Sequence, residues 1–218
     1  MGAHEFPDEY RDDRDEYVRI VAEEMIPRVV AETSARFCDV FCEEGVFTAE
    51  QSRKILTAAR AAGLGLKLHA DEFSPVGGSE LAAELGAVSA DHLLEVQEHG
   101  LLALRNAGVT AVLLPATSYF VAKGRYAPGR TMIQMEIPVA LATDCNPGSS
   151  MTESMPLAMS LACMQIGLSP AEAISAATIN AAHAVGLSHD RGRLAPGMRA
   201  DLQVLEADSY VAIVYHLG

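Results

Sequence analysis

The sequence predicts an α/β protein built from parallel β/α units, a partial TIM-type (β/α)8 barrel with about five of the eight strand–helix units. Strand-like and helix-like runs alternate along the chain, and two strand-like runs end in a histidine or an acid. The length of 218 residues is below the roughly 250 residues of a complete barrel. A smaller open α/β sheet is the alternative.

The strand-like runs and the helices between them follow one another regularly. The strands are predicted at residues 37–42, 64–69, 87–92, 110–115 and 138–144, and the helices at residues 49–62, 79–85 and 95–107. In the second strand Leu64, Leu66 and Leu68 alternate with Lys67 and His69. This alternation predicts one apolar face and one polar face, with His69 where the strand becomes a loop.

Helix start signals support this order. Thr48 with Gln51, and Ser169 with Glu172, have the spacing of capping boxes. Before the first strand, apolar residues recur at helical spacing, and Pro27 should kink or shorten that helix.

Residues 116–131 are rich in turn-forming types and are predicted to form a long loop.

Composition limits the classes of function. The formal charge of −13 argues against binding to nucleic acid or to an anionic membrane, so a small-molecule substrate is expected. Four cysteines lack C-x-x-C spacing, no signal-like N-terminus is present, and no apolar run reaches membrane-spanning length. These features predict a cytoplasmic protein.

Several segments share a pattern of histidine, acid and turn residues. They are KLHADE at 67–72, SADHL at 89–93, LLP at 113–115, LATDCNPGS at 141–149 and a tail at 192–202. Together they resemble imidazolonepropionase, a family of the amidohydrolase superfamily of metal-dependent barrels. The resemblance implies a hydrolase that converts 4-imidazolone-5-propanoate to N-formimidoyl-L-glutamate in histidine degradation. It also implies a barrel domain over residues 1–187 and a segment of a small β domain over residues 188–218.

The resemblance assigns roles to single residues. It implies that His69 and Asp144 bind one divalent or trivalent metal ion, zinc or iron. It implies that Glu72, His92 and Asp144 are catalytic. The implied substrate-binding residues are His4, Glu72, Asn146, Gly148 and Ser149. Zinc or iron held by such ligands lowers the pKa of water from about 15.7 to about 7, which provides a nucleophile at neutral pH.

Other interpretations stay open. Asn146, Gly148 and Ser149 are also common turn residues. The superfamily's His-x-His pair occurs nowhere in the sequence, so we expect the C-terminal portion of a longer enzyme, with weak or no catalysis by this chain alone. Unpaired strand edges would favour homodimerisation. The alternative functions are an aminohydrolase acting on another cyclic amide or a nucleobase, and a non-catalytic remnant.

Overall fold

Parallel strands joined by helices make up the computed structural model, which describes residues 2–216. The chain divides into a first unit, Met1–Val109, and a second unit, Thr110–Gly218. The prediction of five strands is confirmed, with three in the first unit and two in the second.

The first unit carries most of the predicted site. Its elements are a 3-10 turn (Asp8–Tyr10), α1 (Arg14–Ile20), a π-helical turn (Val21–Met25), α2 (Ile26–Glu32), β1 (Phe37–Cys42), α3 (Ala49–Ala61), β2 (Gly65–Ala70), α4 (Gly78–Glu84), β3 (Ser89–His92) and α5 (Glu98–Ala107). The strands β1, β2 and β3 pair in parallel in this order. Asp39 lies opposite Lys67, and His69 lies opposite Asp91.

The two faces of β2 differ as the alternation predicts. Leu66 and Leu68 are buried, whereas Lys67 and His69 are partly accessible. In β1, Val40 is fully buried on the apolar side. The polar face of these strands is where the candidate site is assembled.

The helical run before β1 is irregular at Pro27, as expected. A wider π-helical turn, Val21–Met25, separates α1 from α2. Pro27 has no N–H to donate to the carbonyl four residues back, so regular α-helical bonding is interrupted there.

The second unit pairs two short strands and adds several short helices. Its elements are β4 (Thr110–Leu113), α6 (Pro115–Phe120), α7 (Gly129–Gln134), β5 (Val139–Leu141), α8 (Met155–Leu161), a π-helical turn (Ala162–Ile166), α9 (Pro170–Ser175), a second π-helical turn (Ala176–Asn180), α10 (Ala181–Ala184) and α11 (Ala212–Tyr215). The strands β4 and β5 are parallel. Val112, Leu114 and Ala140 pack with Ala184 in an apolar cluster.

Two sequence predictions in this unit need correction. The strand predicted at residues 138–144 ends at Leu141, because Leu141 pairs with Leu113, the last residue of β4. The long loop predicted at residues 116–131 contains most of α6 and the start of α7. Pro115 occupies the first position of α6, where its fixed φ and missing N–H favour a helix start.

Both capping boxes are confirmed. Thr48 and Gln51 exchange side-chain and backbone hydrogen bonds at the start of α3, and Ser169 and Glu172 do so at the start of α9. Each box satisfies two backbone donors that would otherwise lack an intrahelical partner.

Residues 188–211 consist of turns and irregular backbone, followed by α11. The assignment of residues 188–218 to a small β domain stays a prediction, and its last two positions lie outside the described residues. None of the helices in the described chain has both the length and the apolar character that a bilayer crossing requires.

Candidate metal centre and active site

Two histidines and one acid meet on the polar face of β1 and β2. The Oδ2 atom of Asp39 lies 2.7 Å from Nε2 of His4 and 2.8 Å from Nδ1 of His69. The three side chains are between 20% and 25% exposed, so they are shielded but still reachable by a small ion. One ligand atom from each lies within 4.8 Å of the other two.

The segment before the first helix holds His4 over Asp39. The backbone N–H of Phe41 in β1 donates to the carbonyl of Ala3, 2.9 Å away. Phe6 is buried and stacks on Phe47 with ring centroids 4.2 Å apart. These contacts fix the backbone on both sides of His4.

Asp39 is held in its charged form. Burial by itself raises the pKa of this carboxyl, but the hydrogen bonds from His4 and His69 and their positive charge outweigh burial and hold the pKa well below its usual range. An ionised carboxylate between two imidazoles is a typical ligand set for a divalent ion.

The donor set fits zinc or iron. Imidazole nitrogen and carboxylate oxygen are ligands that both metals accept. The second carboxylate oxygen, Oδ1 of Asp39, is buried without a hydrogen-bond partner among the described residues. A cation bound by His4, Asp39 and His69 would compensate a buried oxygen that is otherwise costly.

Glu72 and His92 form a second, deeper pair beside this cluster. Oε1 of Glu72 lies 3.5 Å from Nδ1 of His92, and both side chains are buried. The rings of His69 and His92 lie 5.0 Å apart between centroids. His4, His69, Glu72 and His92 are therefore brought together within the first unit.

His92 is neutral at physiological pH. Burial, followed by the charge of nearby His69, lowers its pKa to about 3. Its backbone has a φ of 76°, in the left-handed region that is uncommon for residues other than glycine. A neutral imidazole on strained backbone can donate one N–H and accept at the other nitrogen.

Lys67 and Asp91 lie on the same polar face of the strands. Nζ of Lys67 donates to Oγ of Ser89 at 2.8 Å and lies over the ring of Phe37, 5.2 Å from its centroid. Burial raises the pKa of Asp91 to about 6, although the charge of Lys67 opposes the shift. Lys67 thus lines this face, as the alternation along β2 predicts.

The remaining predicted residues lie together in the second unit. Asp144 follows β5 with a left-handed φ of 53°. Its Oδ2 accepts a hydrogen bond of 2.6 Å from Oγ1 of buried Thr117. A shared metal ion of His69 and Asp144 stays a prediction.

Asn146 organises the loop after Asp144. Its Nδ2 donates to the carbonyl of Asp144 at 2.7 Å, and its Oδ1 accepts from the N–H groups of Gly148 and Ser149 at 2.9 Å and 2.8 Å. These contacts are those of a side-chain-stabilised turn. Substrate binding by Asn146, Gly148 and Ser149 stays a prediction.

Sequence reasoning missed Asp39 and the buried Glu43. Asp39 is an acid in the middle of an otherwise apolar strand, which is a signal that the sequence contained. Glu43 directly follows the same strand, at a position where functional side chains often lie.

Cavity size does not locate the site. Pockets of about 860 Å³ and 1000 Å³ in the second unit are lined by none of the sequence-predicted site residues. The candidate site in the first unit is identified instead by its cluster of histidine and acidic side chains.

Comparison with known proteins shows the family of the chain. The model of the amidohydrolase family matches residues 6–216. Over 218 residues the chain is 54% identical to an imidazolonepropionase of Geobacillus kaustophilus, with all of the chain and 51% of that protein covered. The chain therefore spans about half the length of the curated relatives that it matches.

Solved structures give the same fold. The chain is similar to a 5-methylcytosine deaminase from Klebsiella pneumoniae liganded with 5-fluorocytosine, with a TM-score of 0.73, 17% identity and coverage of 91% of this chain and 55% of that chain. It is also similar to an adenosine deaminase from Xanthomonas campestris with bound zinc, with a TM-score of 0.69, 20% identity and coverage of 94% and 53%. With a family match that extends over nearly all of its residues, the chain belongs to the amidohydrolase family.

Proposed function

We propose that this chain is part of an imidazolonepropionase that hydrolyses 4-imidazolone-5-propanoate to N-formimidoyl-L-glutamate. The observation that carries the proposal is the cluster of His4, Asp39 and His69 beside the buried pair of Glu72 and His92. The identity of 54% to a protein of that name supports the choice of substrate.

One zinc or iron ion is the proposed cofactor, with His4, Asp39 and His69 as its ligands in the first unit. When bound, such an ion acts as a Lewis acid and makes water nucleophilic at neutral pH. Asp144 is the further ligand that the family resemblance implies. The family resemblance implies that His4 binds the substrate, and its place beside Asp39 gives it a second candidate role as a metal ligand.

The protein groups around the cluster supply the proton transfers. In the reaction, water oxygen adds to the ring carbonyl carbon, the bond from that carbon to the ring nitrogen breaks, and the nitrogen takes a proton. Glu72 is a carboxylate suited to accept the proton of the attacking water. His92, neutral because of its burial, is suited to donate an N–H to the carbonyl oxygen. Asp144 is proposed to take up a proton released from the attacking water and to deliver it to the leaving nitrogen.

We further propose a cytoplasmic location and a homodimer. The cysteines of the described chain are all free thiols, as expected in a reducing compartment.

An activity assay tests the function. Purified chain with added zinc or iron is offered 4-imidazolone-5-propanoate and, in parallel, cytosine. We expect hydrolysis of the imidazolone and none of cytosine. The hydrolysis should be slow, because the sequence holds no His-x-His pair. Turnover of cytosine in place of the imidazolone would contradict the proposed function. Imidazolone turnover above about 1 per second, as ordinary enzymes reach, would contradict the expectation of slow hydrolysis by this chain alone.

A further inference from the structure

Glu43 is a buried acid whose contacts lie in the loop that carries Glu72. It is 3% exposed. Its Oε2 accepts hydrogen bonds from the backbone N–H groups of Phe73, at 2.9 Å, and Ser74, at 3.4 Å, and its Oε1 accepts from the hydroxyl of Ser74. Three donors of one loop therefore converge on a single carboxylate.

Both the backbone and the carboxylate of Glu43 are themselves held in place by hydrogen bonds. The N–H of Glu43 donates to the carbonyl of Phe47 at 3.0 Å, and the N–H of Val46 donates to the carbonyl of Glu43 at 3.1 Å. The N–H of Glu44 donates to Oε1 of Glu43 at 2.8 Å. Because Phe47 is fully buried, this turn is anchored in the core of the first unit.

The other end of the loop is anchored at Asp71. Its carboxylate accepts from the N–H groups of Gly78 and Ser79, each at 3.1 Å, and from the hydroxyl of Ser79 at 2.5 Å. The carbonyl of Asp71 accepts from the N–H of Glu95 at 2.8 Å. Glu72 thus lies between two residues whose backbone positions are fixed, Asp71 on one side and Phe73 on the other.

We propose that Glu43 is a positioning residue for Glu72. By binding Phe73 and Ser74, it holds the Glu72 carboxylate 3.5 Å from His92. The inference deepens the proposed function and rests on it, since Glu72 is there the proton acceptor.

The charge and the chemistry of Glu43 are both needed for this role. A carboxylate has only acceptor oxygens, and hydrogen bonds to an ionised acceptor are stronger than neutral ones. Glutamine has nearly the same shape, but it loses the charge and places an NH2 group against one of the loop donors. Glu43→Gln therefore loosens the loop with little change in side-chain volume.

The chain offers a matched control. Glu44 is adjacent and exposed, so Glu44→Gln removes the same charge without touching the loop bonds of Glu43. The test compares the wild-type chain, E43Q, E44Q, E72Q and the double variant E43Q/E72Q, all with added zinc. It measures turnover of 4-imidazolone-5-propanoate, binding of imidazole propionate as a stable ring analogue, and hydrogen exchange of the Phe73 and Ser74 amides.

We expect E43Q to lower kcat or analogue affinity by about 10- to 100-fold, to speed amide exchange at Phe73 and Ser74, and to add nothing further in the E72Q background. E44Q should match the wild type. Unchanged amide exchange in E43Q overturns the inference whatever the activity of the chain. Equal effects of E43Q and E44Q, or additive effects of E43Q and E72Q, overturn it as well.

Failure of the proposed function gives a different result. If E72Q matches the wild type, Glu72 is not the proton acceptor and the proposed mechanism is wrong. If the wild-type chain neither converts the imidazolone nor binds the analogue, the proposed function is wrong and this inference falls with it, even where E43Q speeds amide exchange.

Discussion

Nε2 of His4 lies 2.7 Å from Oδ2 of Asp39, although the two residues are 35 positions apart in the sequence. Asp39 belongs to a paired strand, whereas His4 belongs to an irregular segment before the first helix. The contact depends on the packing that ties this segment to β1, and its consequences can be measured.

Replacement of His69 should weaken metal binding. In His69→Asn, loss of one imidazole ligand should lower zinc affinity by more than about 100-fold. Loss of a residue that only hydrogen-bonds to a metal ligand already lowers metal affinity by about 10- to 100-fold. Competition with a chromophoric chelator measures the affinity. His183→Asn, at an exposed histidine of α10, is the control and should bind zinc as the wild type does. Equal affinities of the two variants would exclude His69 as a ligand.

Removal of the Phe6 ring should affect both stability and metal binding. Phe6 is buried against Phe47, so Phe6→Ala should lower the free energy of unfolding by about 3 kcal/mol or more. Because Phe6 anchors the segment of His4, zinc affinity should also fall. Phe120→Ala, at an exposed ring, should change neither quantity. Urea unfolding and zinc titration of both variants measure the two quantities. Unchanged zinc affinity in folded Phe6→Ala would contradict the anchoring role.

The hydroxyl of Thr117 should stabilise the second unit through Asp144. Thr117 is 2% exposed, and its bond to the carboxylate is 2.6 Å long. Thr117→Val should therefore lower the free energy of unfolding by about 1 to 2 kcal/mol, and Thr117→Ser should restore much of it. Thr110 is the matched control, because its buried hydroxyl has no hydrogen-bond partner within residues 2–216. Thr110→Val should leave the free energy of unfolding unchanged or raise it. If Thr110→Val lowers it as much as Thr117→Val does, a specific contribution of the hydrogen bond is excluded.

The ion pair between Glu172 and Arg130 predicts a pH dependence of stability. The hydrogen bond from Arg130, followed by the N–H of Ser169, lowers the pKa of Glu172 from 4.5 to about 2. The folded state thus binds this proton less readily than the unfolded state, so the stabilisation is complete above about pH 5, declines below pH 4.5 and is lost near pH 2.

The side chain of Arg130 is 41% exposed and that of Glu172 is 31% exposed. Solvent screening therefore limits the contribution of the ion pair to about 1 kcal/mol. Glu172→Gln keeps a capping acceptor but removes the charge. In urea unfolding, its free energy of unfolding should be lower than that of the wild type at pH 7, and this difference should vanish toward pH 2. Glu153→Gln, at an exposed position, should show no such difference. A deficit that is the same at pH 7 and pH 2.5 would be inconsistent with the ion pair.

Local patterns were sufficient to predict the number and order of the strands and the best-capped helices, but not where the last strand ends. The alternation around Leu66 and Leu68 and the capping boxes at Thr48 and Ser169 depend on neighbours in the sequence, and the structure retains them. The helix starting at Pro115 was missed because proline marks both loops and first helical turns, and only tertiary packing distinguishes the two.

The candidate site was harder to predict, because it depends on which side chains share a face. His69 could be selected from its position at a strand end, but the role of Asp39 follows from the register that places β1 beside β2. The hydrogen bonds of Glu43 join residues about 30 positions apart, and no periodicity in the sequence encodes that contact.

The most direct test of the central claim is X-ray absorption spectroscopy of the chain loaded with one equivalent of zinc. We predict scattering from nitrogen and oxygen ligands at about 2.0 to 2.2 Å, with the outer-shell pattern of two imidazoles, and its loss in the double variant H4N/H69N. A wild-type spectrum without imidazole scattering, or one that the double variant leaves unchanged, would show that His4, Asp39 and His69 do not form the metal centre.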